Sequence, residues 1–492
     1  MYRREWSLIG LLVLIMLVKG ILWSIAFPLW QGPDEDDHYA VIQFIAELDR
    51  LPDEGDELLP DEVTLSRVLA DVGRLPYNPE QRQIFSQSPI GPNETTFAEL
   101  PPTIRSSFDM GNVGKLMHAT PLYYMLASLP YQLVQDSDLL TRAQVQRLLS
   151  LLLSLPLVPL AYLISRYLFP HDPHMRLTIP FLVVFHPMIT HITSVVSVDG
   201  FYFVCYSLLI YLGLRVFRDG FDWRYAVFIG LTFSVGVLTK PTLNGFAPLV
   251  ALLVAYDWWR APERRWAVFK SALLMGAIIL PLVGWWMQRS YRLNNDLFYF
   301  NPVVKGHRIL EHPFYDYGFW QHMVDYYQSV WGGLFTTWWA HFGWLDTALP
   351  PAVYTFLRIA TFVAIAGLLF RLVQLWRSGQ LAARWRVGMS QAGNRHGPSL
   401  QVWLFLALTF VLPAVMLQYY DLTFWWSYGN GRGLQGRYWL GTVVPMLTFF
   451  VVGLLIWLPK QWRPAGHNLL RVGMVLLNLV SLLGYIMPRY YL

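Results

Sequence analysis

Apolar stretches of about 20 residues recur from one end of this 492-residue chain to the other. An α-helix of that length just crosses the hydrocarbon core of a lipid bilayer. Because 55% of the residues are hydrophobic and only 14% are charged, we predict an all-α, polytopic membrane protein rather than a soluble domain with one anchor. We expect about eleven membrane-spanning helices, near 7–30, 145–168, 177–195, 199–217, 224–239, 241–257, 268–288, 352–376, 400–420, 437–458 and 468–488.

The positions of Lys and Arg orient these helices, since short cytoplasmic loops carry an excess of basic residues. The number of spans depends on segment 118–134. This segment is ambiguous, because it is apolar but short and has prolines near both ends. If it does not span and the N-terminus is cytoplasmic, every short Arg-bearing loop, including 260–270, falls inside. We therefore predict a multi-pass protein of the cell (plasma or inner) membrane, with 118–134 as a short helix on the outer face. The first apolar run is too long for a cleaved signal peptide, so we expect it to be retained as a span.

The remaining segments are predicted to be loops around a single transmembrane domain that covers residues 1–492. Two of them lie outside: a first outer loop, 31–144, with juxtamembrane helices, and a second outer loop, 289–350. We expect the first outer loop to be largely irregular and draped over the membrane surface. A cytoplasmic loop, 377–399, is rich in Arg, Gly and Ser.

Composition and motifs argue against several classes of function. The chain has one cysteine, which excludes an internal disulfide and a metal-thiolate site. The small excess of 37 Lys and Arg over 32 Asp and Glu is typical of cytoplasmic loops, so we predict no nucleic acid partner. No glycine-rich phosphate loop lies on the cytoplasmic side, which argues against a nucleotide-driven enzyme.

The stretch WQGPDEDDHYAVIQ, residues 30–43, places four carboxylates and His38 directly after the first span. Pro33 suits the first position of a helix, and acids in the following turn are stabilised by the helix dipole. Capping accounts for one or two acids but not for all four at 34–37, because like charges held close together are destabilising. Ionisable residues at membrane level are functional candidates by default. We therefore predict that this stretch is part of a functional site.

Further polar residues stand at the outer ends of other predicted spans. Each alone is explained as a snorkelling or helix-capping residue, but together they bring carboxylates and cations to one side of the membrane. Such a set suits chemistry between a nucleophilic hydroxyl and an anionic phosphate leaving group. The residues are Arg147, Asp199, Lys240, Arg289, Gln435 and Arg437.

These motifs resemble the GT-C glycosyltransferase superfamily, membrane enzymes that take sugars from polyprenyl-phosphate carriers. Within it, the chain is most similar to a large bacterial membrane-protein family of unknown function whose first loop reads Pro-Asp-Glu-x-x-His, matched here by Pro33, Asp34, Glu35 and His38. Protein O-mannosyltransferases and aminoarabinose transferases carry a similar acidic pair after their first span. Other segments that resemble the family are HATPLYYML (118–126), SVDG (197–200), LTKPT (238–242), WWMQRSYRLNND (285–296), SVWGGLFTTWWAHFGW (329–344) and QGRYWLGTVVP (435–445).

The chain departs from the family pattern at three places. Ala119-Thr120 replaces the usual first proline, Ser290 replaces an asparagine, and Asp36-Asp37 replaces a typical Pro-Ala. The last change raises the question of a metal, because Asp34, Glu35, Asp36 and Asp37 offer hard oxygen ligands to Mg²⁺ or Mn²⁺. We nevertheless expect chemistry without a cofactor. The histidines of the second outer loop match no compact metal-site pattern: His307, His312, His322 and His341.

The resemblance implies a helical transmembrane core, outer juxtamembrane helices and a cavity that opens to the outside. It implies that a first-loop carboxylate deprotonates an acceptor hydroxyl, which attacks the anomeric carbon with inversion of configuration. The partners are then membrane lipids, a polyprenyl-phosphate-linked sugar and a glycan, lipid or protein acceptor, in glycan biosynthesis at the cell envelope. By resemblance, Asp34 is the base with Glu35 as second choice; Lys240, Arg289, Arg437 and Arg147 bind the donor phosphate; and Asp199, His38, His118, Tyr123 and Gln435 bind the substrates.

Other functions stay open at this stage. A polytopic transporter or flippase of a lipid-linked or polar substrate is the main alternative, because it also has many spans and membrane-level charges. Transporters usually show internal repeats and ionisable residues near mid-span, whereas the strong charges here cluster at outer span ends. A polymerase or ligase that joins lipid-linked glycans and a non-catalytic membrane scaffold are the further alternatives.

Overall fold

A computed structural model describes residues 2–70, 96–97, 99–297, 319–379, 398–428 and 434–491. The regular secondary structure of these parts is helical apart from one isolated bridge and one pair of two-residue strands, so the predicted all-α, polytopic membrane fold is confirmed. Most of the predicted cytoplasmic loop 377–399 lies outside the described residues. So does part of each outer loop, including His307 and His312.

The α-helices are numbered in chain order. The 3-10 turns Pro102–Arg105, Pro241–Phe246, Pro262–Arg264, Gly436–Thr442 and Lys460–Trp462 and the π-helical segment Val480–Ile486 connect or extend them. The helices are α1 (Tyr2–Ala26), α2 (Glu35–Leu48), α3 (Asp61–Leu69), α4 (Leu122–Leu133), α5 (Leu139–Ser154), α6 (Leu157–Leu168), α7 (Pro173–Phe185), α8 (Pro187–Thr193), α9 (Asp199–Asp219), α10 (Trp223–Thr239), α11 (Ala247–Arg260), α12 (Arg265–Asn294), α13 (Phe319–Trp339), α14 (Pro351–Arg377), α15 (Leu400–Tyr428), α16 (Val443–Leu455), α17 (Arg463–Leu479) and α18 (Met487–Tyr491).

Eight helical segments of the described chain are long and apolar enough to cross a membrane. A ninth crossing results if α7 and α8 are one span that bends by 55° between them. Pro187 at the start of α8 explains the break, because proline lacks the backbone donor that a continuous helix needs. The two other predicted spans correspond to α10, which is a shorter apolar helix of 17 residues, and to the turn Pro241–Phe246 followed by α11; neither is among the eight. Every predicted span thus has a helix, whereas the count of eleven crossings stays a prediction.

The first outer loop packs around an apolar core in which α2 lies against α4. Arg142 of α5 reaches into this core, where it pairs with Glu62 across 2.6 Å and donates to the hydroxyl of Tyr131 at 2.7 Å. A buried ion pair with satisfied hydrogen bonds fixes the surrounding geometry. The described part of this loop is therefore a packed cap rather than the irregular segment expected above. Helix α4 falls within the short helix predicted at 118–134.

Helices α14 and α16 approach each other closely within the transmembrane core. A Cβ atom on Gly367 would lie 2.1 Å from the carbonyl oxygen of Gly453, and one on Gly453 would lie 2.2 Å from that of Ala364. Small residues allow two membrane helices to come this close, and the van der Waals contact then holds them together. Helices α14 and α16 therefore form a closely packed pair.

The second outer loop is tied to both ends of the chain. Strand β1 (His341–Phe342) pairs antiparallel with β2 (Thr347–Ala348). In the turn between them, the indole of Trp344 donates to the carbonyl of Trp30 at 2.8 Å, and Asp346 pairs with Arg489 of α18 at 2.6 Å. These buried contacts hold the hairpin beside the end of the first span.

Candidate active site

The acidic stretch after the first span is anchored by Glu35, the first residue of α2. Its two carboxylate oxygens pair with Arg147 of α5, at 2.6 Å from Nε and 2.7 Å from Nη2. The backbone N–H of Val196 donates to the same carboxylate at 3.0 Å. A bidentate charge-assisted pair fixes orientation as well as position. Glu35 thus ties the start of α2 to α5 and to the segment that precedes α9.

Asp34 precedes this anchor in a left-handed backbone conformation, with φ 57° and ψ 18°. Residues other than glycine adopt this conformation rarely, and such strain is concentrated at functional sites. The side chain makes no capping hydrogen bond to α2. It lies instead beside Arg437, whose Nη2 donates to Oδ2 of Asp34 across 3.0 Å. The acid keeps 34% of its side chain exposed, whereas the arginine exposes only 6%.

Arg437 is positioned by its neighbour Gly436, which packs directly on α13. A Cβ atom at residue 436 would lie 2.0 Å from the carbonyl oxygen of Leu334, so the contact requires glycine. The N–H of Gly436 also donates to Oγ1 of Thr337 at 2.6 Å. Within the described part of the chain, Nε of Arg437 is buried without a hydrogen-bond partner. The guanidinium is therefore held on a fixed turn with one donor unused.

A second acid–cation pair joins Asp199, the first residue of α9, to Lys240, which directly follows α10. The Lys240 ammonium contacts Oδ1 of Asp199. It also lies 5.6 Å from the ring centre of Tyr202 and 5.4 Å from that of Tyr438. Aromatic faces attract a cation that is largely withdrawn from water. Lys240 is thus held by a carboxylate and two rings at the end of its helix.

His38 stands where the two pairs meet. The charges of Asp34, Asp199, Lys240 and Arg437 all act on its imidazole. Its Nδ1 lies 2.9 Å from the hydroxyl of Tyr124 on α4. Burial, which outweighs the two acids, lowers the pKa of His38 to about 4, so the ring is neutral at pH 7. The structure therefore brings together five residues that the sequence predicted as site residues, from four separate segments: Asp34 and His38 at the start of α2, Asp199, Lys240 and Arg437.

The acids of the first loop differ in their ionisation. Burial raises the pKa of Asp34, but the positive charges of Arg437 and Lys115 outweigh it, so the pKa is lowered overall. Burial and the neighbouring Asp36 raise the pKa of Asp37 to about 7. Burial also raises the pKa of Asp36, although Arg67 lies 3.0 Å away. Asp34 is therefore the acid that is ionised and partly accessible.

Comparison with known proteins places the chain in a family. Residues 17–447 match the model of the family described as "Predicted membrane protein (DUF2142)". The chain belongs to this family. No curated protein matches the sequence.

Among solved structures, this DUF2142 protein is similar in helix arrangement to the oligosaccharyltransferase of Archaeoglobus fulgidus. The apo form matches with a TM-score of 0.44 and 12% identity, over 98% of this chain and 55% of that one. A complex with an inhibitory peptide and a dolichol-phosphate matches with a TM-score of 0.44 and 12% identity, over 97% and 56%. The chain thus spans little more than half the length of these proteins.

Two residues of the DUF2142 protein have other contacts than the resemblance implied. Arg147 was expected to bind phosphate and Glu35 to serve as the alternative base, but they are paired with each other. The remaining donors of Arg147 are also occupied, by the carbonyl oxygens of Ser24, Phe27 and Pro28 at 2.7 to 3.0 Å. Glu35 is fully buried. In the structure both residues therefore hold the backbone that positions Asp34, and their roles in the reaction stay predictions.

The other four predicted site residues have contacts in three different places: Tyr123, Gln435, Arg289 and His118. The hydroxyl of Tyr123 is buried against Oγ of Ser150 at 2.7 Å, and the next residue, Tyr124, faces His38 instead. Gln435 lies next to the turn that carries Arg437, and its carbonyl accepts from Tyr438 at 3.1 Å. Arg289 and His118 contact the first outer loop: Arg289 Nη2 donates to the carbonyl of Pro52, and His118 Nε2 lies 3.0 Å from that of Asp53.

Three residues at the site were not predicted from the sequence: Tyr124, Lys115 and Tyr438. Tyr124 belongs to the quoted HATPLYYML segment, so only the choice between its two tyrosines was missed. Tyr438 adjoins Arg437 in the sequence, and an aromatic ring next to a cation is a signal that was available. Lys115 donates its backbone N–H to Asp37 at 3.1 Å and lies over Trp344, 5.8 Å from the ring centre. No local pattern in the sequence indicates that role.

The acidic stretch does not form a metal site in the described residues. Glu35 is bound to Arg147 and Asp36 to Arg67, so residues 34–37 do not converge on one point. No group of three or more His, Cys, Asp or Glu side chains converges elsewhere in the parts that the structure covers. In the second outer loop, the carboxylate of Asp346 is paired with Arg489. We therefore derive no step through a metal.

Proposed function

We propose that this chain is an inverting glycosyltransferase of the GT-C type, which moves a sugar from a polyprenyl-phosphate donor to an acceptor on the outer face of the cell membrane. The observation that carries the proposal is the meeting of two acid–cation pairs, Asp34–Arg437 and Asp199–Lys240, around the neutral His38. A partly exposed carboxylate beside two fixed cations suits transfer from a phosphate leaving group. The motif resemblance to GT-C enzymes supports the same reaction.

Asp34 is the general base of the proposed reaction. Its ionised carboxylate accepts the proton of the acceptor hydroxyl while that oxygen bonds to the anomeric carbon. The bond between the anomeric carbon and the phosphate oxygen breaks, and its electron pair leaves with the polyprenyl phosphate. Because the acceptor attacks from the face opposite the leaving group, the configuration inverts. The partial exposure of Asp34 supports this role, since a base must reach its substrate.

Arg437 and Lys240 bind the donor phosphate. The leaving phosphate gains negative charge as the anomeric bond breaks, so fixed cations stabilise the transition state more than the bound donor. The unused Nε of Arg437 offers a further donor beside the Nη2 that holds Asp34. Lys240 acts as a point charge. Asp199 keeps Lys240 in place and orients a sugar or acceptor hydroxyl.

The proposed setting is an inner or plasma membrane with the N-terminus in the cytoplasm. The site residues then lie at the outer ends of their helices, where a lipid-borne sugar and a glycan, lipid or protein acceptor can meet. The reaction as written needs no cofactor and no nucleic acid. Its products are a glycosylated acceptor and a polyprenyl phosphate.

A transfer assay with the purified chain in nanodiscs tests this function. Polyprenyl-phosphate sugars are offered as a panel with glycan, lipid and protein acceptors, and NMR reads the anomeric configuration of the product. We expect inverted product from at least one donor, with and without EDTA. Asp34→Asn should lose this transfer, and Asp109→Asn, which changes an exposed acid of the same loop, should keep it. Retained configuration, or equal transfer by Asp34→Asn, excludes the proposal.

One observation favours a transporter as the second candidate. Lys19 lies within the first span, donates to the carbonyl of Val184 at 2.5 Å and contacts Thr190 across the break between α7 and α8. Asn478 donates to Thr190 as well, at 3.1 Å. Broken helices with intramembrane polar groups are typical of secondary transporters. The test is transport of a lipid-linked sugar in proteoliposomes. Transport that is lost in Lys19→Met and kept in Asp34→Asn would favour a transporter over the transferase.

A further inference from the structure

An apolar groove of about 980 Å³ lies between α13, α14, α15 and α16. One end is lined by Gly436 and Trp439, on the turn that carries Arg437. The membrane-crossing segment Gly436–Leu455 has 20 residues and is about 30 Å long. The groove runs along this segment from Gly436 to Ile456, Lys460 and Arg463, which follow Leu455. The groove therefore spans the hydrocarbon thickness of a bilayer. The walls are aromatic, with Trp331, Phe335, Trp339, Trp403, Phe449 and Phe450 among them.

Three cations line the end of the groove that is remote from the candidate active site. Arg371 lies near the end of α14, Lys460 begins the turn that precedes α17, and Arg463 is the first residue of α17. All three are exposed. Arg371 donates to the amide oxygen of Gln374 at 3.0 Å, and Arg463 donates to a backbone carbonyl at 3.4 Å. Segment 380–397, which follows α14 in the sequence, contains no acidic residue.

We propose that this groove binds an anionic membrane lipid, with its phosphate headgroup at Arg371, Lys460 and Arg463 and its acyl chains along the aromatic walls. Basic residues where membrane helices end attract anionic headgroups, and basic pockets between such helices bind them. The apolar walls match lipid chains and would leave a polar headgroup without hydrogen bonds, so the headgroup stays at the charged end. The three cations therefore select an anionic headgroup over a zwitterionic one.

This lipid site goes beyond the proposed transfer reaction. It lies at the opposite membrane face from Asp34 and requires neither a sugar nor an acceptor. A polyprenyl-phosphate carrier is the other lipid that could lie along the same walls, with its phosphate at Arg437 and Lys240. The two occupants carry their charge at opposite ends of the groove. They are therefore distinguished by the cations on which binding depends.

Native mass spectrometry of the full chain tests the site by titration with phosphatidylglycerol, phosphatidylcholine and polyprenyl phosphate. The variant is Arg371→Ala, Lys460→Ala and Arg463→Ala combined. Because each cation near an anionic surface contributes about fivefold, we expect the affinity of this triple variant for phosphatidylglycerol to fall by roughly a hundredfold. The matched control removes the same charge from exposed residues outside the groove: Arg224→Ala, Arg265→Ala and Lys270→Ala.

The site is supported if the chain binds phosphatidylglycerol in preference to phosphatidylcholine, and if this preference is lost in the groove variant and kept in the control. Ala414→Trp, which places a large ring among the lining residues, should weaken the same binding without changing any charge. Equal phosphatidylglycerol binding by the groove variant and the control overturns the proposal. The proposal is also overturned if only polyprenyl phosphate binds in the groove and if this binding is lost in Arg437→Lys. The groove then binds the carrier instead. Neither outcome depends on detecting sugar transfer.

Discussion

Arg437 and Asp34 stand 403 positions apart in the sequence, yet Nη2 of the arginine donates to Oδ2 of the aspartate across 3.0 Å. The pair joins the proposed base to the proposed phosphate-binding cation. Because the guanidinium lowers the pKa of Asp34, it keeps the base ionised. The two residues therefore depend on each other, and a change in one alters the ionisation or the pairing of the other.

Replacement of Asp34 by asparagine is expected to abolish transfer by removing the proton acceptor. Loss of a general base lowers turnover by about 10²- to 10⁴-fold. Arg437 and Lys240 remain in place, so donor affinity should be largely kept. Transfer rates and donor binding measured in nanodiscs check both statements. Asp109→Asn is the control, and a normal rate in Asp34→Asn would reject the assignment.

Substitutions of Arg437 and Lys240 should separate the effect of donor geometry from the effect of positive charge. Arg437→Lys keeps the charge but loses the planar, two-pronged donor, so turnover should fall although the net charge is unchanged. Lys240→Ala should lose both donor affinity and turnover, since it also leaves Asp199 buried without its cation. Arg265→Ala, which changes an exposed residue of the predicted cytoplasmic loop 260–270, is the control for steady-state kinetics. If all three variants behave alike, the phosphate binds elsewhere.

The Glu35–Arg147 pair should affect stability first. Glu35→Gln leaves a buried guanidinium without its carboxylate, and breaking a buried pair destabilises by about 3–5 kcal/mol. Thermal unfolding in detergent should show a clearly lower Tm. Asp56→Asn breaks the exposed pair with Arg50 and should change the Tm little, because exposed pairs contribute about 0–1 kcal/mol. A Tm equal to wild type in Glu35→Gln would contradict the anchoring role.

The raised pKa of Asp37 predicts a pH-dependent stability. In the folded chain its pKa moves from 3.8 to about 7, so the folded state keeps a proton that the unfolded state has lost. Stability therefore falls as pH rises between these values. Asp37→Asn removes this effect, and its gain in Tm over wild type should be larger at pH 8 than at pH 5.

Asp61→Asn is a control of opposite sign in the same loop. Burial raises the pKa of Asp61, but hydrogen bonds from Ser107, Met110 and Asp109 outweigh it and leave the pKa lowered. This acid stabilises the fold above its unfolded pKa and loses that contribution in acid. Asp61→Asn should therefore lower the Tm at pH 8. A gain in Tm for Asp37→Asn that does not change with pH would contradict the assignment.

Two adjacent tyrosines should give different phenotypes. Tyr124→Phe removes the hydroxyl beside His38, and loss of one hydrogen bond of about 0.5–1.5 kcal/mol corresponds to a roughly two- to tenfold slower transfer. Tyr123→Phe removes the buried contact with Ser150 and should lower the Tm while transfer is kept. Paired Tm and rate measurements decide between the two. The reverse pattern would restore Tyr123 to the site.

Features with a local cause were predictable from the sequence. Hydropathy located every helix of the membrane core, because twenty apolar residues in a row have few alternatives to crossing a bilayer. Asp34, His38, Asp199, Lys240 and Arg437 were found because charges at span ends are costly without a purpose. Gly436 was part of a quoted motif, and its close packing on α13 explains why glycine stands there.

Features that depend on distant contacts were not predictable. Arg147 lies at a span end as Lys240 and Arg437 do, and only its pairing with Glu35, 112 positions away, distinguishes it from them. Adjacent residues on a helix point about 100° apart, so a helix start displaced by one residue exchanges Tyr123 for Tyr124. Lys19 was overlooked because a single cation within an apolar run changes the mean hydropathy little.

The wide separation of Asp34 and Arg437 along the chain also bears on biosynthesis. Translation proceeds at about 5–20 residues per second, so the arginine leaves the ribosome roughly 20 to 80 s after the aspartate. Until then the carboxylate of Asp34 lacks the guanidinium that pairs with it in the folded chain. The proposed active site is therefore completed only when the membrane segment that begins at Gly436 is in place, and earlier insertion intermediates are catalytically silent.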